Sequence, residues 1–264
     1  MTSTGQTLPG TDGAVPPDEA YGSVGRVGYI APAAVTDVFT KDFYRIAPPE
    51  ALLVVTILGL QGISERDAEK IDAALQNVEH CAQILTDFNA QAIGIGGFPP
   101  GVARGIEGMN DLVRRIEETS GLPGQTSPGA AVEALRAAGA SRVAIASPLA
   151  DIHNRKLAEL LEFYDFEVTT VHSMDIRHEQ IPLLSRSASY HAGAEALQAG
   201  GRPDTVFFPC GQWPTLDSLA PLEERFGVTA ISSIAAQAWN YLGMVGVKVE
   251  RPEFGRLLAG QFAS

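Results

Sequence analysis

From Arg26 onward the chain alternates between short apolar runs and longer segments in which apolar residues recur every three to four positions. The short runs predict strands, and the longer periodic segments predict amphipathic helices. Strands that alternate with helices are typical of an α/β fold built on parallel sheets. The predicted strands cover residues 27–31, 52–58, 92–95, 142–146, 166–172, 206–209 and 228–231.

The longest predicted helix begins at Ser64-Glu65-Arg66-Asp67, which is similar to a capping box, and ends near Phe88. Its apolar residues form one stripe that we expect to face the core. Cys81 lies on this helix and is interpreted as a small packed hydrophobe. Further helices are predicted at 112–118, 128–138, 190–199, 214–226 and 235–242, with one more after Asp151, which we expect to cap it.

Two segments of the chain match each other without a gap, residues 121–131 and residues 227–237. Each contains a glycine, a short strand, two hydroxyl residues and the start of a helix. The preceding strands then align so that Gly96 falls on Cys210. A match this short also arises by chance, but it favours an internal duplication.

The duplication predicts two similar parallel-sheet α/β subdomains that face each other across a central cleft. We expect them to span residues 25–127 and 128–245. Residues 1–24 are predicted to form a disordered arm, and residues 246–264 to pack back on the first subdomain.

The 264 residues carry a net charge of -12, which argues against nucleic acid or an anionic membrane as a partner. No apolar run reaches 18 residues, and the first 24 residues lack the apolar stretch of a signal peptide. Two cysteines cannot form a disulfide framework and fit a reducing cytoplasm.

Cys210 ends an apolar strand that breaks into a tight loop, Thr205 to Gln212. Ligands of open α/β sheets bind beyond the carboxyl ends of strands. A helix predicted near Pro214 would present free amides that favour the thiolate. Spacing alone leaves two interpretations open, an acid–base thiol and a buried small hydrophobe.

Four segments resemble parts of one protein superfamily. Residues 208–217, FPCGQWPTLD, are similar to the second cysteine motif of the aspartate/glutamate racemase superfamily. Three further segments resemble the arylmalonate decarboxylase and maleate isomerase branch of this superfamily. They are residues 25–32 (GRVGYIAP), 142–148 (RVAIASP) and 231–233 (ISS), the last together with Trp239. The resemblance extends over about residues 25–245.

The resemblance implies two α/β halves that enclose the site. Racemases use one cysteine from each half, and maleate isomerases resemble this plan, with one thiolate adding to the double bond. Arylmalonate decarboxylases have glycine at the first position, and Gly96 with Cys210 resembles that arrangement. The implied activity is a cofactor-independent decarboxylation of a small carboxylate, in which Cys210 protonates an enediolate.

The resemblance also implies which residues contact substrate. The amides of Cys210 and Gly211 would hold the oxyanion, and Phe98, Leu149 and Trp213 would form an apolar pocket. This chain departs from the decarboxylase pattern because Gly97-Phe98 replaces a Thr-Ser pair and Leu149 replaces a tyrosine. The expected substrate-binding residues are Pro32, Gly96, Gly97, Phe98, Leu149, Gly211, Gln212 and Trp213.

Several alternatives stay open. One is a maleate-isomerase-like reaction with Cys210 as nucleophile, and another is a non-catalytic small-molecule binding protein. Residues 94–101, GIGGFPPG, lack dinucleotide-loop spacing, and the five histidines lack zinc-ligand spacing, so no cofactor or metal is predicted. Ser232 and Ser233 either cap the last helix or line the pocket, and both a monomer and a homodimer are compatible with the sequence.

Overall fold

The computed structural model describes residues 21–33, 38–60, 68–102 and 104–262, which form two four-stranded sheets with helices around them. Every strand pairing is parallel, and this confirms the predicted α/β class with two similar subdomains. The first sheet contains β1 (Gly25–Ala31), β2 (Ala51–Ile57), β3 (Ala92–Ile95) and β4 (Gly124–Thr126). The second contains β5 (Arg142–Ser147), β6 (Glu167–Ser173), β7 (Thr205–Phe208) and β8 (Thr229–Ser232).

The two sheets have the same topology. Their strand orders are β2-β1-β3-β4 and β6-β5-β7-β8. In each sheet the first strand in the sequence lies second in the order, between the second and third strands, and the fourth strand lies at the edge beside the third. Because the strands of a sheet are parallel, the loops that follow them meet at one edge. The shared order supports the internal duplication.

The helices mostly follow the predicted positions. They are α1 (Val38–Ile46), α2 (Ala68–Leu75), α3 (Val78–Asp87), α4 (Phe98–Val102), α5 (Gly105–Ser120), α6 (Ser127–Ala137), α7 (Asp151–Phe163), α8 (Arg186–Gln198), α9 (Leu219–Phe226) and α10 (Ser233–Met244). The long helix predicted to end near Phe88 is two helices, and Asn77 between them donates a side-chain hydrogen bond of 3.1 Å to the Leu58 carbonyl. Its predicted start at Ser64–Asp67 lies outside the described residues.

Two predictions about helix starts were wrong. Asp151 is the first residue of α7 and makes no capping bond, since Ala150 occupies the N-cap position. The helix expected at Pro214 begins only at Leu219, after a 3₁₀ turn at Leu216–Ser218. No α-helix therefore starts immediately after the Cys210 loop.

The register of the sheets corrects the alignment of the two halves by one residue. Ile95 pairs with Thr126 in the first sheet, and Phe208 pairs with the matching Ser232 in the second. Two residues further on are Gly97 and Cys210, whose φ angles of +86° and +96° are alike. Gly97, and not Gly96, is therefore the structural equivalent of Cys210.

Equivalent helices of the two halves pack against each other and carry hydroxyl groups at their starts. Ser232 caps α10 by accepting the Ala235 N–H at 3.1 Å, as one of the two interpretations of the serine pair predicted. Ser233, in contrast, pairs with Ser127 of α6 through buried hydroxyl oxygens 3.1 Å apart. The hydrogen bond between Ser127 and Ser233, which occupy matching positions of the repeat, thus joins the two halves near their pseudo-twofold axis.

Tyr241 of α10 reaches from the second half onto β3 of the first. Its hydroxyl donates to the Ile95 carbonyl at 3.3 Å, and burial raises the pKa of this phenol well above its usual value. Its ring occupies the space beside Gly94, where a β-carbon would overlap it. The glycine is therefore required for this contact between the halves.

The segment after α10 contacts both halves. Arg251 donates to the Ala47 carbonyl at 3.3 Å in the first half, and the Arg256 N–H donates to Glu223 at 2.9 Å in the second. The packing on the first subdomain was expected from the sequence, whereas the contact with Glu223 was not. Among the described residues, no helix combines the length and apolar character needed to cross a bilayer.

Gly94→Ala tests the contact between the halves. We expect it to lower the free energy of unfolding by about 1–3 kcal/mol, because the added methyl group overlaps the Tyr241 ring in a close-packed core. Urea unfolding monitored by circular dichroism measures the change. In a Tyr241→Leu background the same substitution should cost much less, and an equal cost in both backgrounds would contradict the proposed contact.

Candidate active site

A cavity lies where the carboxyl ends of strands from both sheets meet. The empty space of the cavity together with the open solvent at its mouth amounts to about 540 Å³. The first half contributes Tyr29 of β1 and residues that follow β1, β2 and β3, and the second half contributes residues that follow β5, β6 and β7. The lining residues are Tyr29, Pro32, Ala33, Leu60, Gly97, Phe98, Pro99, Pro100, Leu149, His178, Cys210, Gly211 and Gln212.

Cys210 adopts a backbone conformation that is unusual for a cysteine. Its φ of +96° lies in a region that favours glycine, and three of the other four non-glycine residues with positive φ are Asn or Asp. The loop turns sharply here, and the Trp213 N–H donates to the Cys210 carbonyl at 3.4 Å. Such local strain is concentrated at functional sites, so the geometry favours a functional thiol over a buried hydrophobe.

The cavity is largely apolar and contains few titratable groups. Among the described residues that line it, none is Asp, Glu, Lys or Arg. The titratable side chains are Tyr29, His178 and Cys210, and Cys210 is only 6% exposed. A charged substrate would therefore depend on these side chains, on Gln212 and on backbone amides for hydrogen bonds.

The structure brings seven of the nine sequence-predicted site residues together at this cavity. Cys210 is joined there by the residues that the resemblance implied, Pro32, Gly97, Phe98, Leu149, Gly211 and Gln212. Their role in binding substrate stays a prediction. With Gly97 as the equivalent of Cys210, the two residues that follow it are Phe98 and Pro99, and neither side chain supplies a hydroxyl.

The two remaining residues lie elsewhere. Trp213 is fully buried, and its ring packs on Phe208 with 5.7 Å between centroids, so it supports the Cys210 loop from behind. Gly96 lies against Tyr29, because a β-carbon at this position would overlap the tyrosine hydroxyl. Neither residue lines the cavity as it was expected to do.

Sequence reasoning missed six lining residues, Tyr29, Ala33, Leu60, Pro99, Pro100 and His178. Four of them immediately follow β1, β2 or β3, and counting outward from the predicted strand ends would have found them. His178 begins a 3₁₀ turn five residues after β6. Tyr29 lies within β1, and nothing in the apolar pattern distinguishes it from a core residue.

The other cysteine has a different environment. Cys81 is buried in α3, where its thiol lies 3.6 Å from the Ile57 carbonyl and its burial raises the pKa of the thiol. Neither cysteine forms a disulfide. Cys81 therefore contributes to the core, in agreement with its interpretation from the sequence.

Comparisons with known proteins agree with the fold. The family model of arylmalonate decarboxylase matches residues 27–258. The arylmalonate decarboxylase of Bordetella bronchiseptica is 28% identical over 237 residues, which cover 89% of this chain and 97% of that protein. The maleate isomerase of Nocardia farcinica is 25% identical over 200 residues, 75% of this chain and 78% of that protein.

Solved structures show the same architecture. A liganded arylmalonate decarboxylase that carries a glycine-to-cysteine and a cysteine-to-serine substitution superposes with a TM-score of 0.82 at 27% identity. The superposition covers 89% of this chain and 98% of that one. The maleate isomerase of Nocardia farcinica bound to TRIS has a TM-score of 0.80 over 90% of this chain and 98% of its own, and at 22% identity this shows the shared fold.

Alkylation by iodoacetamide near pH 8 tests whether Cys210 is accessible from the cavity. We expect Cys210 to react at least about tenfold faster than Cys81, because a raised pKa leaves Cys81 with less thiolate in the core. Peptide mass spectrometry over time measures both rates. Cys81→Ser should leave the fast phase intact and Cys210→Ser should remove it; equal rates at the two sites would contradict an accessible Cys210.

Proposed function

This chain belongs to the arylmalonate decarboxylase family, and from that membership we propose that it decarboxylates a disubstituted malonate without a cofactor, with Cys210 as proton donor. The observation that carries the proposal is that Cys210 in the second half and Gly97 in the first half occupy structurally equivalent positions. Among the described residues that line the cavity, only the second half supplies a thiol. A two-base racemisation needs an acid–base group on each face of the carbon, whereas a decarboxylation needs one proton donor.

The proposed reaction balances with one donor. The bond between the α-carbon and one carboxylate breaks, carbon dioxide leaves, and the bonding electron pair passes into an enediolate with the remaining carboxylate. The Cys210 thiol then transfers its proton to the α-carbon. The resulting thiolate recovers a proton from water, so the net change is uptake of one proton and release of one carbon dioxide.

The apolar lining supports two parts of this proposal. Leu60, Phe98 and Leu149 offer space for an aryl or alkyl substituent. The same surface excludes water from the carboxylate that leaves, which favours its conversion to neutral carbon dioxide. The sequence had assigned Trp213 to this apolar surface. In the proposal, Pro32, Pro99 and Pro100 complete the surface in its place.

The relatives support a small carboxylate as the substrate class, since their names specify arylmalonate and maleate. The maleate isomerases also favour a second candidate, in which the Cys210 thiolate adds to a double bond and forms a thioether. The absence of a side chain at Gly97 makes this candidate the weaker one. The lack of a disulfide between Cys81 and Cys210 supports the reducing cytoplasm that the sequence predicts.

Cys210→Ala tests the role of the thiol. We expect turnover of a panel of aryl- and alkyl-substituted malonates to fall roughly 100- to 10,000-fold, because the enediolate loses its proton donor. Release of carbon dioxide measures the rate. Cys81→Ala is the matched control and should retain wild-type turnover.

Undiminished turnover in Cys210→Ala would contradict the proposed donor. A substrate-derived thioether on Cys210 after incubation with maleate, detected by intact mass, would favour the isomerase candidate. Inactivity of the wild type across both substrate classes would favour a non-catalytic binding protein.

Gly97→Cys tests the structural equivalence of the two positions. Because the φ of Gly97 matches that of Cys210, we expect the new thiol to supply the second acid–base group and to introduce racemisation of a 2-arylpropionate. Exchange of the α-proton in D₂O, followed by NMR, measures it. Gly96→Cys is the matched control and should not racemise, because its side chain would overlap Tyr29; exchange in the control but not in Gly97→Cys would contradict the corrected register.

A further inference from the structure

The side chain of Tyr29 points along the first sheet toward the edge where the cavity opens. Tyr29 pairs with Gly94 across β1 and β3, but its hydroxyl lies against Gly96, two residues closer to the carboxyl end. Residue Ile30, next in β1, contributes to the core on the other face of the sheet. The phenol therefore runs along the face that looks toward the second half, and its hydroxyl is the part nearest the cavity.

Packing fixes this orientation. Tyr29 is 2% exposed, and the Phe39 ring lies 4.5 Å from its own, centroid to centroid. Gly96 has no side chain, and this absence creates the space that the hydroxyl occupies. Tyr29 thus lines the cavity although almost all of its surface is buried.

Tyr29 has a distinctive position among the residues that line the cavity. The first half contributes Tyr29 together with Pro32, Ala33, Leu60, Gly97, Phe98, Pro99 and Pro100. Among these described residues, Tyr29 alone carries a side-chain hydrogen-bond donor. The prolines also lack an N–H group, so the backbone of this wall offers few replacements.

We propose that the Tyr29 hydroxyl donates a hydrogen bond to the carboxylate that the substrate retains, and to the enediolate formed from it. This inference rests on the proposed function and adds a substrate-contacting residue on the half of the site that has no thiol. Cys210 then protonates the α-carbon from the second half while Tyr29 holds the oxygens from the first. Tyr29 transfers no proton and forms no covalent bond.

The chemistry of the enediolate predicts the kinetic effect. Negative charge on the oxygens increases when carbon dioxide leaves, so a hydrogen bond to them strengthens between the bound substrate and the enediolate. An uncharged phenol in an apolar cavity is suited to this role because it adds no charge that must be desolvated. Loss of the bond should therefore lower kcat more than it weakens substrate binding.

Tyr29→Phe is the test, because it removes the hydroxyl and keeps the ring that packs on Phe39 and Gly96. We expect kcat for an arylmalonate to fall about 10- to 100-fold, the usual effect of deleting a hydrogen bond to a charged group. The Kd for the corresponding arylacetate, measured by calorimetry, should rise by a smaller factor. Tyr241→Phe is the matched control, since its hydroxyl is also buried but contacts the Ile95 carbonyl, and it should retain wild-type kcat and Kd.

The two readouts separate failure of this inference from failure of the proposed function. If the wild type does not decarboxylate any malonate, the proposed function fails, while a weaker arylacetate affinity in Tyr29→Phe alone still supports the contact with a carboxylate. Unchanged kcat and Kd in Tyr29→Phe would overturn the inference. Equal losses in Tyr29→Phe and Tyr241→Phe would overturn it as well, because both effects would then come from the packing of the core.

Discussion

Two glycines on one side of the first sheet, Gly94 in β3 and Gly96 just after it, are the constraint on which the rest of the structure depends. Gly94 and Gly96 lie on the same face of this strand because side chains alternate along it. Tyr241 of the second half occupies the space beside Gly94, and Tyr29 of the first occupies the space beside Gly96. The Phe39 ring packs against both phenol rings, with 4.5 Å between its centroid and that of Tyr29 and 6.3 Å between its centroid and that of Tyr241. Two large side chains thereby fill the interface while the halves approach closely.

This close approach gives the cavity its chemical character. The carboxyl ends of two parallel sheets face each other, and the loops that follow the strands bring an apolar surface, one strained cysteine and few polar groups together. In such surroundings each hydrogen bond to a carboxylate has a large effect, because water does not compete for it. In the proposed reaction, the asymmetry between Gly97 and Cys210 determines which face of a bound carbon receives a proton from a thiol.

The sequence predicted the alternation of strands and helices, the two halves and the loop of Cys210, because each has a local signal in apolar pattern or turn residues. It misplaced the equivalence of the halves by one residue. β3 is only four residues long and is followed by two glycines, so no side-chain pattern distinguishes Gly96 from Gly97. Hydrogen bonding to β4 sets the register, and that pairing involves residues about thirty positions apart.

The sequence by itself determined the fold class, the family and the position of the candidate catalytic thiol, since these follow from local patterns and from the motif around Cys210. Only the tertiary structure decided which side chains share the cavity. Trp213 turned into the core although it follows the thiol closely, because the sharp turn at Cys210 directs it behind the loop. Tyr29 reached the cavity from within a strand, because the missing side chain of Gly96 left space for its hydroxyl. Such placements depend on contacts between residues far apart in the chain, and no local pattern records them.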